Sequence, residues 1–216
     1  MKKLLLLFCL FVIVNHSFAQ PFIDEIKSYQ QHDHINPPAK HSILFVGSSS
    51  FRIWKDYQKY FPGYSIINRG VGGSSLTDII RYTNDIILPY QPKQIVIYCG
   101  ENDFTSSDTV TVNHVVDRFK LLFFNIRKEM PNIPIAFISI KPSPSRWKYK
   151  AQFILANNTI QNFLNTQQNT NYINVWDSML DVNGNPITSI FLQDNLHMNS
   201  NGYLIWQKII APYLVK

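Results

Sequence analysis

Residues 43–50 read Ile-Leu-Phe-Val-Gly-Ser-Ser-Ser, a short apolar run that ends in a glycine and three hydroxyl side chains. Consecutive apolar residues without polar alternation are typical of a strand buried on both faces. Such strands occur in parallel sheets that carry helices on each side. This stretch therefore predicts the first strand of an α/β fold, with polar residues directly after its carboxyl end.

The same pattern recurs along the chain. Apolar runs at 43–46, 64–67, 94–99, 133–140 and 172–175 predict five strands, and helical periodicity predicts helices near 21–31, 52–60, 75–88, 113–129, 149–168 and 200–213. Strands and helices in alternation, with strands that are apolar almost throughout, predict a three-layer α/β/α domain with a five-stranded parallel sheet.

The first nineteen residues have the features of a secretory signal peptide. Two lysines at positions 2 and 3 precede an apolar run over 4–14, and small residues stand at Ser17 and Ala19. We expect cleavage after Ala19, so that 20–216 forms a single exported domain, periplasmic or secreted. An uncleaved anchor is the alternative, which the run disfavours because it is shorter than the ~20 residues that span a bilayer. No second stretch of that length occurs, so we expect no stable membrane insertion.

Composition and charge exclude several classes of protein. The chain of 216 residues is 45% hydrophobic and 16% charged, so it can bury a substantial core. Its formal net charge of +6 includes the two leader lysines, and the remaining basic residues are scattered, which argues against a nucleic-acid partner. Cys99 is the one cysteine outside the leader, so no internal disulfide is expected. We interpret it as part of a buried strand.

Polar and glycine-rich motifs follow the predicted strands. The carboxyl ends of parallel strands meet at one sheet edge, where open α/β sheets bind ligands. In chain order the motifs are Gly47-Ser48-Ser49-Ser50, Asn68-Arg69-Gly70-Val71-Gly72-Gly73-Ser74, Gly100-Glu101-Asn102-Asp103, Lys141-Pro142-Ser143-Pro144-Ser145-Arg146-Trp147 and Asp194-Asn195-Leu196-His197. We therefore expect the functional site at this edge.

Two of these motifs together favour nucleophilic catalysis. A serine at a strand-to-helix turn is exposed, and its N–H lies near a helix N-terminus that stabilises negative charge. Asp194 is three residues from His197, so its carboxylate can bind Nδ1–H and leave Nε2 facing a serine. The alternatives are a helix cap for the serines and a structural role for the histidine.

The remaining motifs offer hydrogen-bond donors. The Asn102 amide and the N–H of a glycine could stabilise a tetrahedral oxyanion. A plain turn at 100–103 and a flexible loop at 70–73 are the alternatives, and a phosphate-binding loop is disfavoured because Ser75 stands where the dinucleotide fingerprint needs its last glycine.

A histidine-rich segment before the first strand is interpreted as structural. The residues concerned are His32, Asp33, His34 and His41, within or beside a connector that contains Pro37-Pro38. The segment lacks a fourth ligand at suitable spacing, so we expect a solvated loop there and not a metal site.

Four of these segments, 43–54, 68–73, 100–103 and 194–197, resemble in this order the sequence blocks of the SGNH hydrolase (GDSL esterase/lipase) superfamily. The resemblance extends over 43–214. In the form in which they occur here, these blocks are similar to those of a subgroup related to the platelet-activating-factor acetylhydrolase catalytic subunits. The resemblance implies a flavodoxin-like fold with Ser49 as nucleophile, Asp194 and His197 as acid and base, and an oxyanion hole formed by Ser49, Gly73 and Asn102. It implies no metal and no cofactor.

Two positions depart from the family pattern. Ser48 stands where the family usually has Asp before the nucleophile, and Asn195 stands where it often has Gly. The first removes any role assigned to that Asp, and the second affects the turn that carries the acid and the base.

The function expected is an exported serine esterase that hydrolyses short-chain O-acyl, mainly acetyl, esters of a small molecule or carbohydrate. Arg146 and Trp147 are candidate substrate contacts, because they could hydrogen-bond and stack on a sugar ring; the alternative is that they anchor their loop. A lysophospholipase or thioesterase and a non-catalytic carbohydrate-binding relic are the competing functions. The oligomeric state is not encoded in any motif.

Overall fold

A computed structural model describes residues 20–216, which form a five-stranded sheet with helices on both faces. The strand order is β2-β1-β3-β4-β5, and every neighbouring pair is parallel. The strands are β1 (Ile43–Gly47), β2 (Ile66–Gly70), β3 (Gln94–Tyr98), β4 (Ile135–Ile138) and β5 (Thr170–Ile173). The predicted three-layer α/β/α fold with five parallel strands is confirmed.

Nine α-helices lie in the described part of the chain. They are α1 (Ile23–Ile35), α2 (Ser49–Arg52), α3 (Tyr57–Tyr60), α4 (Leu76–Arg81), α5 (Thr83–Ile86), α6 (Asp103–Ser106), α7 (Val112–Glu129), α8 (Lys150–Leu164) and α9 (Ser200–Ile210). Short 3-10 turns follow two of them, α5 and α9, and another, Pro144–Tyr149, leads into α8.

The strands alternate their side chains between two apolar cores, one on each face of the sheet. Leu44, Val46 and Ile97 face a core that is closed by α1, α4, α5, α7 and α8. Phe45 and Val96 face the other core, which is rich in aromatic residues and is closed by α2, α3 and α9. All these side chains are fully buried, as expected for strands of a sheet covered on both faces.

Several predicted boundaries are wrong. The second strand, predicted at 64–67, lies at Ile66–Gly70 and so includes Asn68 and Arg69, because their polar side chains find partners inside the fold. The helix predicted at 52–60 is two short helices, and the helix predicted at 75–88 is likewise interrupted, at Tyr82. The fifth strand, predicted at 172–175, begins and ends two residues earlier.

The first helix is also longer than predicted, and this corrects the interpretation of the histidine-rich segment. It continues to Ile35, so His32, Asp33 and His34 belong to its last turn and not to a solvated loop. Asp33 forms an ion pair with Arg69 and accepts a hydrogen bond from the Tyr90 hydroxyl at 2.5 Å. The segment therefore attaches α1 to the edge of the sheet.

The predicted signal peptide, 1–19, lies outside the described residues. Within residues 20–216, none of the helices has the length and apolarity needed to cross a membrane.

Candidate active site

Ser49 lies at the carboxyl end of the strand β1, as the first residue of α2. Gly47 makes this turn possible, because its φ of 147° and its close approach to β3 exclude a side chain: a Cβ there would lie 1.8 Å from the Tyr98 carbonyl oxygen. A first helical residue has no intrahelical acceptor for its N–H. The Ser49 N–H has no acceptor among the described residues, so it is available as a donor. Ser48, which occupies the family's Asp position, is buried, and its N–H donates to the Tyr98 carbonyl at 2.9 Å.

Asp194 and His197 lie on a tight turn before α9. The N–H groups of Leu196 and His197 both donate to Asp194 Oδ1 at 2.9 Å, and the His197 carbonyl accepts from the Leu192 N–H at 2.7 Å. Asn195 has a φ of 55°, in the left-handed region that asparagine tolerates better than most side chains. This explains how an asparagine replaces the glycine that the family often has in this turn.

The serine, the histidine and the aspartate are hydrogen-bonded in series. His197 Nε2 lies 3.0 Å from Ser49 Oγ, and His197 Nδ1 lies 2.6 Å from Asp194 Oδ2. The partial desolvation of Asp194 would raise its pKa, but hydrogen bonds from the His197 ring and from the N–H groups of His197 and Leu196 outweigh it and lower the pKa to about 2. The carboxylate is therefore ionised at neutral pH and can hold the imidazole with Nε2 directed at the serine.

Two further donors lie on the loops of the neighbouring strands. Gly73 has a φ of 79°, and a Cβ there would meet nothing within 4 Å, so the space on that side of the residue is open. Asn102 donates from Nδ2 to the Ser74 carbonyl at 3.0 Å, which leaves the second hydrogen of the same amide free for another acceptor. Because β1 lies between β2 and β3, these loops flank the turn that carries Ser49.

Asp103 fixes the segment that carries Asn102. Its fully buried carboxylate accepts from the Leu76 N–H at 2.9 Å and from Arg118 at 2.8 Å. Burial raises the pKa of Asp103, against the lowering effect of these two donors. The residue thus connects α6 to the first turn of α4 and to α7. Cys99, directly after β3, is buried, and burial raises the pKa of its thiol well above the usual value.

Arg146 and Trp147 lie on the 3-10 turn after β4 and are half-buried. The Trp147 ring stacks on Trp176, with ring centroids 5.9 Å apart, and the Lys150 ammonium lies 4.6 Å from its centroid. Arg146 Nε is buried without a hydrogen-bond partner among the described residues. Trp147 therefore packs on the domain, and a contact of either residue with a substrate stays a prediction.

A buried polar cluster beside Asn102 is not among the features predicted from the sequence. Glu101 forms an ion pair with Lys141, at 2.6 Å between Oε2 and Nζ, and accepts from Ser143 and Tyr98. One signal was present in the sequence, since Lys141 follows the predicted strand at 133–140, and a lysine buried there needs a partner. Its partner is 40 positions away and cannot be identified from local pattern.

Comparisons with solved structures agree with this architecture. A candidate platelet activating factor from Streptococcus pneumonia superposes with a TM-score of 0.77 at 21% identity, covering 89% of this chain and 92% of that one. A GDSL-like lipase from Bacteroides thetaiotaomicron gives 0.74 at 16% identity, covering 87% and 96%. A Geobacillus acetyl-xylooligosaccharide esterase gives 0.65 at 13% identity, covering 81% and 94%. At these identities the similarity establishes the fold alone.

One curated relative matches a part of the chain. Nicotinate phosphoribosyltransferase from Vibrio vulnificus (strain YJ016) is 30% identical over 90 residues, which make up 41% of this chain. The match spans a fifth (20%) of that protein's own length, so its named activity does not transfer to this chain.

The sequence model of one protein family covers most of the chain. The model of the GDSL-like Lipase/Acylhydrolase family matches residues 42–205, a range that contains Ser49, Gly73, Asn102, Asp194 and His197. The chain therefore belongs to the GDSL-like lipase/acylhydrolase family, a family of carboxylic ester hydrolases.

Proposed function

We propose that the chain is an exported serine esterase that hydrolyses short-chain O-acyl esters, above all acetyl esters, through Ser49, His197 and Asp194. The observation that carries the proposal is the hydrogen-bonded series from Ser49 Oγ through His197 to Asp194, with distances of 3.0 and 2.6 Å. A nucleophile, a base within reach of its proton and an ionised group that orients the base are the requirements of acyl transfer.

In the acylation step, Ser49 Oγ attacks the carbonyl carbon of the ester while His197 Nε2 takes the hydroxyl proton. The imidazolium that forms is stabilised by the Asp194 carboxylate, which stays ionised because its pKa is about 2. The tetrahedral intermediate then collapses, His197 returns the proton to the alcohol oxygen, and the acyl group remains on Ser49.

In the deacylation step, water replaces the alcohol. His197 Nε2 takes a proton from the water molecule while the water oxygen attacks the acyl carbon. His197 then gives this proton to Ser49 Oγ as the carboxylic acid leaves. The series of hydrogen bonds is restored, so one site serves both halves of the reaction.

The oxyanion of each tetrahedral intermediate is assigned to three donors: the Ser49 N–H, the Gly73 N–H and Asn102 Nδ2. The position of Ser49 at a helix start, the open face of Gly73 and the spare hydrogen of the Asn102 amide support this assignment. Donors that are fixed before the reaction stabilise the developing charge without reorganisation.

The short acyl chain is supported by the polar loop after α6, which follows β3 at the same edge of the sheet as Ser49. A long acyl chain needs an extended apolar groove, whereas the segment after α6 is exposed and polar, with Ser107, Asp108 and Thr109. Cavities of about 430 and 450 Å³ lie elsewhere: the first is lined by residues such as Gln30 and Tyr90, the second by residues such as Lys59 and Leu204.

The most specific part of the proposal is that the alcohol group of the substrate is a carbohydrate. The unpaired, buried Nε of Arg146 supplies a donor on the loop after β4. The Geobacillus neighbour of the same fold is named for acetyl-xylooligosaccharides. Arg146 and Trp147 are therefore kept as candidate contacts of the alcohol group.

A panel of p-nitrophenyl esters from acetate to palmitate tests the acyl specificity, run beside acetylated sugars and lysophospholipid. We expect the highest kcat/KM for acetate among the esters and a preference for acetylated sugars over lysophospholipid. Faster turnover of long-chain esters or of lysophospholipid would instead support the lysophospholipase or thioesterase alternative. No turnover of any ester by folded protein would support the non-catalytic relic.

A further inference from the structure

We propose that Glu101, Lys141 and Ser143 form a positioning network that holds the Asn102 amide in register with the turn that carries Asp194 and His197. The inference rests on the proposed function, because it concerns the alignment of that same site. Among the described residues, none of the three is hydrogen-bonded to Ser49, Asp194 or His197. They act through the segments that carry the triad and the oxyanion donors.

The network is buried, and each of its side chains is hydrogen-bonded. The side chains of Lys141 and Glu101 are 1% and 5% exposed. Glu101 Oε2 accepts from Lys141 Nζ at 2.6 Å and from the Tyr98 hydroxyl at 2.8 Å, and Oε1 accepts from the Ser143 hydroxyl at 3.1 Å. Three donors therefore fix the position and orientation of the Glu101 carboxylate.

Stability alone is a weak explanation for such a pair. Removing two charges from water costs several kcal/mol per ion, and apolar replacements of whole buried pairs are often neutral or stabilising. The location is more informative than the burial. Glu101 is bonded covalently to Asn102, so a shift of the Glu101 backbone would move the peptide that directs the Asn102 amide.

The other end of the network reaches the acid and base. Ser143 is two residues from Ser145, whose N–H donates to the Asn195 carbonyl at 3.0 Å, between Asp194 and His197. The segment between β4 and Ser143 is also fixed. The buried Asn157 side chain accepts a hydrogen bond from the Ile140 N–H at 2.8 Å and donates one to the Ile140 carbonyl at 2.9 Å. One continuous path therefore joins the oxyanion donor to the general base.

The expected consequence is a dependence of the rate, and not of binding, on the network. A displacement of a catalytic group by about 1 Å can cost roughly 10²-fold in rate. The Asn102 amide contacts the oxyanion mainly in the transition state, so its displacement lowers kcat and leaves KM nearly unchanged.

The test replaces the pair as a whole, in Glu101→Met/Lys141→Met, and measures kcat and KM for p-nitrophenyl acetate together with Tm. We expect kcat to fall by about 10- to 100-fold with KM within about twofold. Tm should fall only by the cost of leaving the Tyr98 and Ser143 hydroxyls without their acceptor, since the buried charges are removed as a pair. Ser143→Ala removes a single hydroxyl and should lower kcat severalfold, which keeps the test available if the double variant does not fold. An unchanged kcat in these folded variants would overturn the proposal.

Arg127→Met is the matched control. Its guanidinium donates to the carbonyls of Ile133, Gln168 and Asn169, at the amino ends of β4 and β5 and so at the opposite edge of the sheet. We expect this variant to lower Tm and leave kcat unchanged. A kcat loss in Arg127→Met as large as that in the network variants would overturn the positioning role, because general destabilisation would then explain both.

A double-mutant cycle with Asn102→Ala identifies the route of the effect. If the network acts through Asn102, the Glu101→Met/Lys141→Met replacement should change kcat by less than about twofold in the Asn102→Ala background. A full loss in that background would overturn the proposal. Turnover that survives Ser49→Ala would contradict the proposed function instead, so the two failures are distinguishable.

Discussion

His197 Nε2 lies 3.0 Å from Ser49 Oγ although 148 positions separate the two residues in the chain. The parallel sheet produces this contact, because it brings the ends of distant strands to one edge, where the turn before α9 closes over the first residue of α2. A hydrogen bond of this length lets the imidazole accept the serine proton as the hydroxyl attacks.

The first prediction concerns the Asn102 amide. Asn102→Ala should lower kcat by roughly 10²–10³-fold, the usual cost of removing one oxyanion donor. Steady-state kinetics on p-nitrophenyl acetate and thermal melting measure the two effects separately. Asn162→Ala, an exposed asparagine of α8, is the control and should leave both unchanged. A nearly unchanged kcat in Asn102→Ala would exclude the oxyanion role.

The second prediction concerns pH and Asp194. Its pKa of about 2 in the folded protein is below the ordinary value of 3.8, so ionised Asp194 contributes stability that is present above the ordinary pKa and lost as the pH falls through the folded one. Wild type should therefore melt above Asp194→Asn near pH 5, and the difference in Tm should shrink as the pH falls toward about 3. A difference that stays constant over this range would contradict the assignment of the lowered pKa.

The third prediction concerns the left-handed residue Asn195. Asn195→Gly should be tolerated, with a free energy of unfolding within about 1 kcal/mol of the wild type, because glycine adopts a positive φ readily. Asn195→Val should be destabilised by about 1–3 kcal/mol, since a β-branched side chain is strained at a φ of 55°. Urea denaturation measures both. Equal stability of the two variants would mean that the turn relaxes and does not need this backbone conformation.

The fold could be predicted where the signal is local, and the second strand shows where this stops. Consecutive apolar residues identify β1 and β3 almost to the residue. In β2, Asn68 and Arg69 look like loop residues, yet the Asn68 amide donates to the Phe51 carbonyl at 2.7 Å and Arg69 pairs with Asp33. Those partners come from distant parts of the chain, so periodicity cannot reveal that the strand continues.

The same distinction applies to the site. Ser49 and His197 could be proposed because each stands in a short motif that follows a strand or precedes a helix. The cluster around Glu101 could not, because Lys141 is 40 positions away and becomes a partner only when β3 and β4 pair. The Ser74 carbonyl that orients Asn102 is a backbone group, so the residue types in the sequence do not indicate this hydrogen bond.

The fourth prediction concerns export. If 1–19 is a signal peptide, the full-length chain expressed in a Gram-negative bacterium should yield periplasmic protein that begins at Gln20. Intact-mass measurement should give the mass of residues 20–216 without modification. A retained amino terminus or a lipid-modified mass would contradict the proposed processing.

The central claim is that Ser49 is the nucleophile of an ester hydrolase, and a fluorophosphonate probe tests it most directly. The probe phosphonylates an activated serine, so intact-mass and peptide mapping should find one adduct, on Ser49, and none in the Ser49→Ala variant. The same substitution should reduce ester turnover by several orders of magnitude, to about the level that binding and the oxyanion donors sustain alone. An adduct on Ser48 or Ser50, or labelling that persists in folded Ser49→Ala, would contradict the assignment.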